Sequence, residues 1–218
     1  MKYRLFLLFG FCFVMATVTV NAFDASESED LLLISAYEGD LQKVKDLINK
    51  GVNVNAKGAN NETPLLAAVN SGKVDITALL LAYGANLEDR NFQDSTPLII
   101  ASQYGHSHIT AMLVEMGANI NVRDFNGYDP LMIAAARGHD MVVRQLLAFG
   151  ADSILTNKHG NTALMLAIYG GHLPVIKTLL KKGSKKQLVM TNKRDQTPID
   201  FARELKSSVI INLLSKDK

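Results

Sequence analysis

The sequence predicts an all-α solenoid of short helix-turn-helix units stacked in a row, each followed by a projecting, hairpin-like loop. Three observations predict it. Glycines recur at Gly39, Gly72, Gly105, Gly138 and Gly171, a constant spacing of 33 residues, and a second ladder with the same spacing runs Gly51, Gly84, Gly117, Gly150 and Gly183. A third ladder carries variants of one phrase: ETPLLAA at 62–68, STPLIIA at 95–101, YDPLMIA at 128–134, NTALMLA at 161–167 and QTPIDFA at 196–202. Between the glycine ladders the apolar residues fall at helical spacing, as Ile109, Met112, Leu113 and Met116 do.

Taken in order, residues 1–22 stand apart. MKYRLFLLFGFCFVMATVTVNA has Lys2 and Arg4, an apolar run from Leu5 to Val20, and small residues up to Ala22, the order of a secretory leader cleaved after Ala22. The run is short against the ~20 residues that span a bilayer. Cys12 follows Phe11, where a lipoprotein signal has a small residue. Residues 23–29 read as a short extension. Residues 30–61 form an N-terminal cap, with both glycines and GDLQKVKDLINKG but no Thr-Pro-Leu. Four repeats follow at 62–94, 95–127, 128–160 and 161–195, and 196–218 is a C-terminal cap ending with its second helix.

Each unit has local reasons for its shape. Thr63, Thr96, Thr162 and Thr197 cap a helix start, since a hydroxyl accepts a bond from an orphan backbone N–H, and Asp129 takes that role in the repeat without Thr. Pro64, Pro97, Pro130 and Pro198 follow at the first helical position, where no N–H is needed. The first-ladder glycines end this helix by allowing a left-handed turn. A second helix runs to the second glycine, and turn residues such as Asp124 and Gly127 shape the loop after it.

These phrases resemble the ankyrin repeat family, whose period is 33 and whose signature is T-P-L-H-x-A. The resemblance runs from about Asp30 to Leu214. It implies a non-catalytic module that binds a partner protein on a concave face made of loop tips and first helices. Three departures stand out. Leu66, Ile99, Met132, Met165 and Asp200 replace the family's His, which implies missing or replaced bonds between repeats. Ala163 replaces Pro, and the Lys-rich loop 183–196 is two residues longer than its counterparts.

Without the leader's Lys2 and Arg4, the 23 basic side chains become 21, matching 21 acidic ones, and the cysteine count falls to zero. A balanced charge argues against nucleic acid as partner, and packing alone must hold a cysteine-free exported domain. The charge is polarised: residues 23–172 carry 10 basic and 17 acidic side chains, residues 173–218 carry 11 and 4. The basic run 181–194 reads first as a solvated loop, with a docking site for an acidic partner or anionic lipid as the alternative.

The candidate partner-binding residues are Tyr37, Phe92, Gln103, Tyr104, Phe125, Tyr128, Arg137 and Tyr169, at first-helix ends and loop tips. Six of the ten aromatic residues after the leader lie among them, and Tyr anchors interfaces because it joins large area to a polar tip. His106 and His108 do not form a metal pair, because residues two apart on a helix diverge. No cofactor motif, phosphate loop or nucleophile elbow occurs, and Asn61-Glu62-Thr63 matches a glycosylation sequon only by sharing the repeat's Thr. The reading is a monomeric periplasmic or secreted adaptor that touches membrane only through an uncleaved leader. The resemblance to some exported bacterial ankyrin proteins of similar size and layout implies an envelope enzyme, such as a catalase, as the partner class. A secreted effector or immunity protein is the alternative, and a hydrolase ranks below both.

Overall fold

The computed structural model describes residues 26–216, so the leader lies outside the described residues. Twelve helices run in pairs, and no strand forms among the described residues. The first helices of the pairs are α1 (26–38), α3 (Pro64–Asn70), α5 (Pro97–Tyr104), α7 (Pro130–Arg137), α9 (Ala163–Tyr169) and α11 (Pro198–Glu204). The second helices are α2 (Leu41–Asn49), α4 (Val74–Ala82), α6 (Ser107–Glu115), α8 (Asp140–Ala148), α10 (Leu173–Lys182) and α12 (Ser208–Lys216). Helix α1 already runs at residue 26, so part of the stretch 23–29 is helical.

The caps form as their residue types require. Met132 N–H donates to Asp129 at 2.8 Å, and Leu66, Ile99 and Met165 donate to Thr63, Thr96 and Thr162 at 3.2, 3.5 and 3.4 Å. Thr197 instead donates its N–H and hydroxyl to Asp200, the residue in the family's His position. Asp129 is 1% exposed and its Oδ2 has no partner among the described residues. Burial pushes its carboxyl up to about 6, against the lowering pull of the Met132 N–H and of Arg123.

Stacking makes one core from two layers. Successive first helices pack on each other, α3 on α5, α5 on α7, α7 on α9 and α9 on α11, while the second helices form the layer behind. One alanine rung, Ala68, Ala101, Ala134, Ala167 and Ala202, is fully buried in the first helices. In the second helices Leu47, Leu80, Leu113, Leu146, Leu179 and Leu214 form a buried leucine rung. The central repeats also bury Ile76, Ile109, Val142 and Val175, and the N-terminal cap has exposed Lys43 in that place. A polar outer face is what a terminal repeat needs, having no neighbour to cover it. Met116 departs from the apolar face read in the sequence: it caps α6 and is 53% exposed, because the helix ends before it.

Of the two outcomes expected for the bonds between repeats, missing or replaced, two units show replacement. His139 Nε2 donates to the Gln103 carbonyl and His172 Nε2 to the Ala136 carbonyl, each at 3.0 Å and each reaching the preceding repeat. These histidines precede the second helices, so the family's inter-repeat bond is supplied from a different position. Their rings lie against the preceding glycine rung, so closely that a Cβ on Gly105 would sit 2.6 Å from His139 Nδ1. His106 presses on Gly72 in the same way, but its Nε2 has no partner among the described residues, and its ring stacks on Tyr104 with centroids 5.9 Å apart.

The loops carry their own ladder. In each of the four fingers that follow α4, α6, α8 and α10, one Asx side chain accepts two backbone N–H bonds: Asn91, Asp124, Asn157 and Asn192 bond residues two and four further on. Neighbouring fingers then join through Phe92 N–H to Asn60, Lys158 N–H to Asn126 and Lys193 N–H to His159. Gly183 is the exception in the second glycine ladder, extended at φ −79° and ψ 172°. Its loop, two residues longer than the others, holds a 3₁₀ turn, Lys185–Leu188, whose buried Gln187 donates to the Leu179 carbonyl.

Candidate functional site

The face between the fingers and the first helices is built from three sets of positions held in register by the repeat. Just before each helix cap stand Glu62, Ser95, Tyr128, Asn161 and Gln196. One helical turn before the first helix ends stand Ile34, Ala67, Ile100, Leu166 and Phe201. At the ends themselves stand Tyr37, Asn70, Gln103, Ala136, Tyr169 and Glu204. All of these line one of two clefts. The cap fixes where each first helix begins, so these side chains reach the same face in every unit while their identities vary.

The first cleft, about 540 Å³, lies over α1, α3 and α5 and is lined by Tyr37, Phe92, Tyr104, Glu38 and Glu62 among others. The second, about 590 Å³, lies over α7, α9 and α11 and includes Arg137, Tyr169, Lys193, Arg194 and Phe201. The eight residues singled out in the sequence are thus divided. Tyr37, Phe92, Gln103 and Tyr104 meet in the first cleft; Tyr128, Arg137 and Tyr169 meet in the second; Phe125 lines neither, although it is 59% exposed. Tyr128 is half-buried and packs against the core, while Tyr37, Phe92, Tyr104 and Tyr169 are 50–71% exposed.

Glu62 was passed over in the sequence because it sits inside a cap phrase. Its side chain is half-buried, has no hydrogen-bond or ionic partner among the described residues, and burial raises its pKa. Lys193 and Arg194 were read as part of a solvated basic loop, yet the Asn192 turn and the Lys193–His159 backbone bond hold that stretch at the rim of the second cleft. The signal for both was available: a residue that changes at a fixed rung of a repeat whose other rungs stay the same.

Among the described residues no three His, Cys, Asp or Glu side chains gather in a group that could hold a metal ion. His106 is occupied against Gly72 and Tyr104, and His108 points to solvent on α6. No described helix is long and apolar enough to cross a membrane.

A rigid stack with one adjustable face defines a helical-repeat scaffold for protein–protein interaction. The chain matches the family model of ankyrin repeats (3 copies) over residues 32–124 and 123–190, and it belongs to the ankyrin repeat family. Helices α11 and α12 continue the stack past the end of that match. No curated protein matches the chain.

Proposed function

We propose that the protein is an exported, non-catalytic adaptor that grips a partner protein in the groove between its fingers and first helices. One observation carries this reading: four aromatic rings are at least half exposed on this single face, Tyr37, Tyr104 and Tyr169 from first helices whose opposite sides are locked into the core, and Phe92 from a finger. Exposed aromatics grouped on one face mark interaction surfaces, since a monomer gains nothing by leaving them in water. The leader supports export to the periplasm or beyond, and an envelope enzyme such as a catalase is the partner class suggested by similar exported ankyrin proteins. The protein acts as a monomer, with no cofactor, and supports its partner without chemistry of its own.

The test is a pull-down from the exported fraction with the protein lacking residues 1–22, run beside a Tyr104→Ala/Tyr169→Ala variant that melts at the same temperature. A partner retained by the first and lost by the second supports the proposal. Equal retention by both places binding elsewhere, and turnover in a broad substrate screen removes the non-catalytic reading.

A further inference from the structure

The two clefts differ in charge as well as position. The first has two carboxylates, Glu38 and Glu62, and no Lys or Arg in its lining. Neither carboxylate has an ionic partner among the described residues, and the rings of Tyr37, Phe92 and Tyr104 surround the same space. Carboxylates beside aromatic faces form a receptor for an ammonium or guanidinium group, which takes ion pairing from one and cation–π attraction from the other. The second cleft has three cations, Arg137, Lys193 and Arg194, and one carboxylate, Glu204, which already accepts a bond from Gln196. No side chain pairs with these cations among the described residues. Arg137 projects from the end of α7, where a planar guanidinium can meet a carboxylate with two bonds.

Resting on the adaptor reading above, we infer that the groove is built for one extended peptide segment of dipolar charge. A Lys or Arg side chain of the partner enters the cleft of Glu38 and Glu62, and an acidic side chain or chain terminus meets Arg137, Lys193 and Arg194. The spacing follows from the stack. The clefts centre on α3 and α9, three helix-to-helix steps apart at about 10 Å each, or about 30 Å. An extended chain covers that distance in about nine residues at ~3.3 Å each. Opposite charges at the two ends set the direction of the segment and reject its reverse, which would bring like charges together at both ends.

The probe is a phage library of random 15-residue peptides, selected against the intact purified protein. The expected winners carry a Lys or Arg and an Asp or Glu about nine residues apart, always in the same order. A synthetic peptide of that pattern binds Glu62→Gln and Arg137→Gln at least about tenfold more weakly, the size of a lost charged hydrogen bond. Arg137→Glu then prefers the peptide whose acidic residue is replaced by Lys. Arg137 is exposed and Glu62 is half-buried without a partner among the described residues, so the melting temperature of each variant is measured to confirm an intact fold. Winners that lack paired charges but lose binding to Tyr104→Ala/Tyr169→Ala overturn the dipolar inference and leave the groove reading standing. So does indifference of the charged peptide to Glu62→Gln and Arg137→Gln. No enrichment at all, or winners indifferent to the tyrosine changes, overturns both.

Discussion

Replacing Asp129 by Thr, the residue that other repeats use at this rung, exchanges a buried charge for a neutral cap. Burial holds the Asp129 carboxyl at about 6 in the folded chain, against an ordinary value of 3.8. Between those values the folded state keeps a proton that the unfolded state has released, so stability falls as pH rises through this window. The cost is absent below pH ~4, complete above ~7, and about 3 kcal/mol for a two-unit shift. Thr keeps the bond to Met132 N–H but at the longer distances of the other threonine caps, against 2.8 Å for Asp129, a loss of up to about 1 kcal/mol at any pH. Asp129→Thr therefore stabilises by about 2 kcal/mol at pH 7.5 and destabilises by up to ~1 kcal/mol at pH 4. Urea unfolding of both proteins across that range measures the difference, in which the titration of other groups cancels. A difference that stays flat with pH, or a Thr variant less stable at pH 7.5, refutes the argument.

Three further changes probe the stack, each read by thermal or urea unfolding. His139→Ala removes the bond to the Gln103 carbonyl and costs about 1–2 kcal/mol, whereas His106→Ala, whose Nε2 has no partner among the described residues, costs less. Gly105→Ala meets both a φ of +74° and the His139 ring, and costs about 3 kcal/mol or more; Gly117→Ala, at φ +96° with nothing within 4 Å of the new Cβ, costs about 1–2 kcal/mol. Lys206 holds φ +52° at the turn between α11 and α12, where the other repeats have glycine, so Lys206→Gly stabilises by up to about 1 kcal/mol.

The repeat made the scaffold readable because every rung has a local cause. A Thr or Asp caps, a proline follows and a glycine turns left-handed, and the structure shows these at most of the expected places, with Thr197, Ala163 and Gly183 as the departures. Where a cause was non-local, the sequence was silent. The role of His139 depends on a glycine and a carbonyl from the repeat before it, at separations of 34 and 36 residues, and no pattern within one unit shows that contact. Gly183 looks like its four predecessors in the sequence, yet two extra residues downstream draw the backbone into another path. The candidate face was partly legible for the same reason. Tyr37, Gln103 and Tyr169 share one rung and were found together, whereas Glu62 was hidden by its place in a cap phrase and Arg194 by a loop that looked merely solvated. Phe125, a loop-tip aromatic 59% exposed, lines neither of the two clefts.

Site-specific photo-crosslinking in the cell that makes the protein tests the central claim most directly. A photoreactive phenylalanine analogue replaces Tyr104 or Tyr169 on the groove, or Met141, which is 61% exposed on α8 in the rear layer. The account predicts one and the same partner band from positions 104 and 169 and none from 141. A band from 141 alone, or equal bands from all three, would contradict it.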